Sequence, residues 1–165
     1  MEIRRENLTI GDYTKMIDGD PNNYKLYIYR GLLYESNGDF DKAKDDFTKA
    51  IQLNPFSFEA YSNRGGVYRH EKNYDLAISD ASMCVKINPC AVQGYINRGN
   101  VYDDMQDYKL AIEDFSRAIK IDPTDYEVYL FRRKAYIALG EERLAEIDLK
   151  KAFEIDPFTT EQWLS

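Results

Sequence analysis

Five prolines limit what this chain can fold into, because they stand at 21, 55, 89, 123 and 157, each 34 residues from the next. They are all the prolines the sequence has. Proline has no N–H to donate and pushes its predecessor out of the helical region, so each one ends a helix. A regular ladder of such breaks cuts the chain into equal units and predicts a stack of like supersecondary pieces.

Between the breaks, apolar residues keep helical spacing. Tyr27, Arg30, Gly31 and Tyr34 recur as Tyr61, Arg64, Gly65 and Tyr68, then as Tyr95, Arg98, Gly99 and Tyr102. The fourth unit has Tyr129, Arg132, Arg133 and Tyr136. Offsets of three, four and seven put these residues on one face of a first helix. A second stripe follows in each unit: Ala43, Phe47, Ala50 and Ile51; Ala77, Ala81, Cys84 and Val85; Ala111, Phe115, Ala118 and Ile119; Ala145, Leu149, Ala152 and Phe153. Small residues alternating with large ones let two antiparallel helices approach and interdigitate. Turn residues separate the two helices at Asn37-Gly38-Asp39, Lys72-Asn73, Gln106-Asp107 and Gly140-Glu141. After each proline a capping residue is expected to open the next helix: Asn23, Ser57, Asp125 and Thr159, with Ala91 the exception.

The pattern aromatic-x2-x-Gly-x2-Tyr, then Ala-x3-Phe, then Pro, repeated every 34 residues, resembles the tetratricopeptide repeat. The resemblance implies an all-α fold, a right-handed superhelical solenoid of antiparallel helix pairs. Residues 24–57, 58–91, 92–125 and 126–159 would be its four repeats. Residues 1–23 would hold a remnant second helix, Leu8 to Ile17, and a connector; residues 160–165 would start a truncated further repeat, with Trp163 where each first helix has Tyr. Neither end shows an evident polar cap, which suggests a piece of a longer array or ends that pack on another chain.

Each unit also carries an Arg and an Asp sixteen residues apart: Arg30 and Asp46, Arg64 and Asp80, Arg98 and Asp114, Arg132 and Asp148. The repeat pattern usually has an aliphatic residue where these arginines sit. Charge-assisted pairs bridging the two helices are the expected arrangement. The alternative is an arginine ladder for phosphate or carboxylate ligands, and four matching aspartates argue against it.

First helices of the repeat family line a concave groove in which partner segments lie. The resemblance places in that groove Lys25, Ile28, Tyr29, Leu32 and Ser36 of the first unit, and Glu59, Ser62, Asn63, Gly66, Arg69 and His70 of the second. The third adds Gln93, Ile96, Asn97, Asn100, Asp103 and Asp104, and the fourth Glu127, Leu130, Phe131, Lys134 and Ala138. Asn63 and Asn97 occupy equivalent places, and an amide can both donate to and accept from a peptide backbone. The same polar stripe is equally consistent with a solvated face. Tyr29 and Phe131 are the better anchors, since aromatics are favoured at binding hot spots. Chaperone-binding members of the family grip a C-terminal carboxylate with Lys, Asn, Asn, Lys and Arg. At those positions this chain has Ile28, Leu32, Asn63, Gln93 and Asn97, or Ser62, Gly66, Asn97, Glu127 and Phe131, so a chaperone tail is not expected.

Composition narrows the remaining classes. Hydrophobic residues at 44% and aromatics at 14% can fill a stack, and charged residues at 31% suit an aqueous surface. A net charge of -7 argues against nucleic acid or anionic lipid as the partner. With no signal-peptide pattern and no long apolar run, a soluble cytoplasmic protein that does not enter the membrane is expected. Catalysis is poorly provided for. His70 is the single histidine, Cys84 and Cys90 are expected to be free thiols, and no phosphate-cradling glycine motif is present. The expectation is a non-enzymatic scaffold or adaptor without metal or cofactor that binds a protein or peptide segment. Self-association through the repeat ends, or a regulatory piece of a larger protein, are the alternatives.

Overall fold

The computed structural model describes residues 8–158, so Thr159 and Trp163 lie outside the described residues. Within them the chain is all-α, a helical-repeat solenoid by class, with nine helices and no strand. Two compact units divide it, residues 1–83 and 84–165, and the boundary falls within the fifth helix.

The first unit holds α1 (Ile10–Gly19), α2 (Tyr24–Ser36), α3 (Phe40–Leu53), α4 (Phe58–His70) and the start of α5 (Tyr74–Ile87). Thr9 and Asp12 cap α1 reciprocally: the Asp12 N–H donates to Thr9 Oγ1 at 3.2 Å, and the Thr9 N–H donates to Asp12 Oδ2 at 3.0 Å. Helix α1 packs on α2, α2 on α3 and α3 on α4, around a core of Ile28, Ala43, Phe47, Ala50, Ala60 and Val67. The second unit holds the rest of α5, then α6 (Val92–Asp104), α7 (Tyr108–Ile121), α8 (Tyr126–Ala138) and α9 (Glu142–Ile155). Here α6 packs on α7, α7 on α8 and α8 on α9. Its core contains Tyr95, Ile96, Ala111, Phe115, Ala118, Val128 and Ala135.

Each first helix ends in the same hydrogen-bonded turn. At the end of α2 the Gly38 N–H donates to Glu35 O at 2.9 Å and the Asp39 N–H to Tyr34 O at 2.8 Å. This pairing satisfies carbonyls that would otherwise lack a helical donor, and it requires one residue in the left-handed region. Gly38 and Gly140 fill that place with φ of 80° and 74°, whereas Lys72 and Gln106 accept φ of 60° and 63° despite their side chains.

Starts of helices differ more than their ends. Ser57 and Asp125 cap α4 and α8 with their side chains, accepting from the N–H groups of Ala60 and Glu127. Asn23 does not cap α2, contrary to expectation: its amide donates to Asp20 Oδ2 at 3.2 Å, which turns the side chain away from the free N–H groups. The prolines do more than break helices. Tyr27, Tyr95 and Tyr129 each donate their hydroxyl to the carbonyl of the proline six residues earlier, at 3.1 to 3.3 Å. Each bond ties the connector to the helix that follows it.

Two glycines set how closely the paired helices pack. A Cβ on Gly31 would stand 2.7 Å from the Phe47 ring, and one on Gly99 would stand 2.7 Å from the Phe115 ring. Those rings lie against bare backbone. Where the stripe has Ala81 in place of the ring, a Cβ on Gly65 would come no nearer than 3.2 Å, to the Asp80 Cβ, and opposite Leu149 the glycine is replaced by Arg133.

Candidate partner-binding surface

The arginines of the repeating motif are engaged inside the stack. Arg30 Nε donates to Asp46 Oδ2 at 2.8 Å and Nη2 donates to Oδ1 at 2.7 Å, a bidentate fork. Arg64 with Asp80, Arg98 with Asp114 and Arg132 with Asp148 repeat it at 2.7 to 2.8 Å. All four aspartates are buried. A hydroxyl sixteen residues before the arginine completes the set: Arg30 Nη1 donates to Thr14 Oγ1 at 3.1 Å, Arg64 Nη1 to Thr48 Oγ1 at 2.9 Å and Arg132 Nη1 to Ser116 Oγ at 2.9 Å. Each of these guanidiniums therefore links three successive helices. Tyr27 and Tyr34 bracket Arg30, with ring centroids 5.7 and 5.9 Å from Cζ, and Tyr61 and Tyr68 do the same for Arg64.

Hydrogen bonding to the carboxylate raises the pKa of Arg30, Arg64 and Arg98 above the ordinary arginine value, against the opposing effect of burial. At Arg132 burial is the largest single influence and lowers it, yet the bond to Asp148 and its charge leave the pKa raised. These groups are permanently charged and internally neutralised, which leaves no cationic ladder for an external anion.

The remaining motif residues divide between the two units. In the first, Tyr29 on α2 is partly buried, its ring 5.8 Å from that of Tyr13 and tilted by 40°. Asn63 on α4 is partly buried, and its amide has no hydrogen-bond partner among the described residues. Arg69 is partly buried, and exposed His70 stacks on Phe40 with ring centroids 4.4 Å apart. Ile28 is buried rather than at a surface, because α2 also packs on α4 and Ile28 joins Ala60 and Val67 there.

In the second unit the expected position of Ile96 is corrected for the same reason. It is 8% exposed and packs with Val128 and Ala135 of α8, so it offers no side chain to a partner. Leu130 is likewise buried, in a cluster with Tyr129 and Ala152. Asn97 is partly buried and accepts from Gln93 Nε2 at 2.7 Å, a tie its counterpart Asn63 lacks. Asn100 is partly buried, with no partner for its amide among the described residues. Phe131 packs against the core, its ring 5.8 Å from that of Phe115. Lys134 is exposed and donates to Asp103 Oδ2 at 2.6 Å, an ion pair that sequence spacing did not indicate.

Among the described residues, no group of three or more His, Cys, Asp and Glu could hold a metal ion. Both cysteines are free, Cys84 buried and Cys90 exposed. No described helix is long and apolar enough to cross a membrane.

A model described as tetratricopeptide repeat matches residues 24–57 and 92–125, and a second so described matches 58–89 and 126–159. The chain belongs to the tetratricopeptide repeat family. Among solved structures it is similar to MamA, at 28% identity over 92% of this chain and 89% of the other, with a TM-score of 0.83. MamA of Desulfovibrio magneticus RS-1 shares the fold at 21% identity, over 90% of this chain and 84% of that one, with a TM-score of 0.81. A tetratricopeptide repeat protein from Parabacteroides merdae is 26% identical over 88% of this chain and 57% of its own, with a TM-score of 0.74. No curated protein sequence matches the chain. Membership in this family and the likeness to MamA support a protein-interaction scaffold as the general class of activity.

Proposed function

We propose that this repeat chain binds a segment of a partner protein along the surface its first helices present in each unit, and acts as a non-enzymatic scaffold or adaptor. The observation that carries this reading is the division of polar chemistry. Arginine and aspartate satisfy one another inside the stack, while the amides of Asn63 on α4 and Asn100 on α6 remain without partners among the described residues. An unpaired amide can donate to and accept from the backbone of an extended segment without reading its sequence. Tyr29, Asn97, Phe131 and Arg69 supply the remaining contacts in this reading, and Lys134 lies on the same surface paired with Asp103.

Asn63→Ala combined with Asn100→Ala should weaken capture of a cellular partner while leaving the thermal melt nearly unchanged. Capture that survives this double change together with Phe131→Ala rules the surface out. A second reading, self-association, is favoured by one observation: α9 exposes Leu144 and Ile147, spaced to lie on one face. Light scattering against concentration tests it. A strictly monomeric chain, or a dimer indifferent to Ile147→Lys, excludes it.

A further inference from the structure

Among the described residues, the second unit contains a buried side-chain polar atom without a hydrogen-bond partner, Asp103 Oδ1. The carboxylate sits near the end of α6, and its side chain is only 10% exposed. The other oxygen, Oδ2, is held by Lys134 of α8, whose side chain is 67% exposed. A buried, unsatisfied acceptor is costly, and a native one calls for an explanation. An ammonium is a point donor and here serves one oxygen. A guanidinium presents two parallel N–H groups in a planar fork that matches both oxygens of a carboxylate. This chain already makes that match in all four of its Arg–Asp pairs.

We infer that Asp103 is a docking point for an arginine side chain of a partner segment, with Lys134 as the displaceable occupant that holds the site when no partner is bound. This inference rests on the partner-binding surface proposed for the first helices and names the chemistry of its ligand. Lys134 is a suitable placeholder, because a long exposed lysine swings into solvent at little cost and its pair with Asp103 is weak in water. Once it leaves, the entering guanidinium meets the Asp103 carboxylate; the other cations on α8 are partly buried Arg133 and Arg132, which Asp148 already neutralises. The unpartnered amide of Asn100, one helical turn before Asp103, lies where it can hold the backbone next to that arginine. An overall charge of -7 favours the approach of a basic segment.

The repeat register provides a second instance. Glu35 occupies the position of Asp103 two repeats earlier. It too is partly buried, and burial raises its pKa despite the attraction of His70 on α4. A partly buried carboxylate at this repeat position, with a basic residue type on the following first helix, thus recurs in the first unit.

The test is an amide NMR titration of the full chain with a capped Gly-Ser-Arg-Ser-Gly peptide and with copies carrying Lys or citrulline in place of Arg. The arginine peptide should move the resonances of Asp103 and Asn100, the lysine peptide less, and the neutral citrulline peptide not at all. Asp103→Asn should lower the arginine peptide's affinity by at least about tenfold, as expected for removing one partner of a desolvated charge pair. Lys134→Ala should raise it by up to about fivefold, the worth of an exposed competing ion pair. The opposite signs of these two effects distinguish a site from a general loss of folding. Equal shifts with arginine and citrulline, weaker binding by Lys134→Ala, or no movement of Asp103 up to roughly 10 mM peptide each overturn the inference. Capture that depends on Asn63 and Asn100 in a chain blind to the arginine peptide retires this inference and leaves the surface reading standing. Arginine binding at Asp103 with capture indifferent to both asparagines retires the surface reading instead.

Discussion

Removing the carboxylate from one Arg–Asp pair is the sharpest test of what holds the stack together. Asp46 is the case to choose, since its side chain is 7% exposed and that of Arg30 is 17% exposed. Asp46→Ala removes two charge-assisted hydrogen bonds, each worth about 1.5–3 kcal/mol, so the gross loss is about 3–6 kcal/mol. Part of that is recovered. Arg30 keeps Thr14 as an acceptor at 3.1 Å, remains between Tyr27 and Tyr34, and reaches water at its exposed edge. A net cost of about 2–4 kcal/mol follows, overlapping the lower part of the roughly 3–5 kcal/mol range for stranding a fully buried charge. Because repeat arrays can open locally, the assay is urea denaturation together with hydrogen exchange at the amides of α2 and α3. Protection in those helices should fall first. Adding Arg30→Met should restore part of the loss, since an apolar replacement of the whole pair strands no charge. The penalty should also persist from about 0.1 M to about 1 M salt, where an exposed pair is screened away. A penalty below about 1 kcal/mol that vanishes in salt would mean the pair behaves as a surface contact, and the arginines would then not be what clamps the helices together.

Two further predictions follow from the same packing. Gly99→Ala forces a methyl into the Phe115 ring, so it should destabilise by about 1–3 kcal/mol of overpacking less the roughly 1 kcal/mol that alanine gains in a helix; Phe115→Leu should relieve it. Gly66→Ala, where an added Cβ meets nothing within 4 Å, should stabilise by up to about 1 kcal/mol in the same urea assay. Glu35 predicts a pH dependence. Burial raises its carboxyl pKa above 4.5, so its contribution to stability is complete below the unfolded value and is lost as pH rises through the folded one. Glu35→Gln should therefore melt like the parent at low pH and above it at neutral pH, and a difference that shrinks with rising pH contradicts this.

Much of the fold was legible in the sequence because its signals are local. A proline breaks its own helix, a 3.6-residue period marks one stripe, and the turn residues end α2 and α8 with glycine in the left-handed position. Asn23 shows the limit of such signals: a capping residue type does not decide between the helix N-terminus and a nearby carboxylate, and Asp20 prevailed. The sixteen-residue spacing of Arg and Asp was visible, but the hydroxyl sixteen residues earlier was not, because Thr14, Thr48 and Ser116 read as ordinary polar positions.

For the candidate surface, sequence alone determined which helix carries each residue and which residues share a repeat position. Tertiary structure decided which of them face outward. A first helix packs against its own partner helix and, within a unit, against the next first helix as well, so its buried arc is wider than one stripe. That wider contact takes Ile28 and Ile96 into the cores. Repeat spacing gives every unit the same positions. Which position is buried, paired or left with an unsatisfied atom depends on the volumes and charges that meet across helices, and those are defined only once the helices are packed.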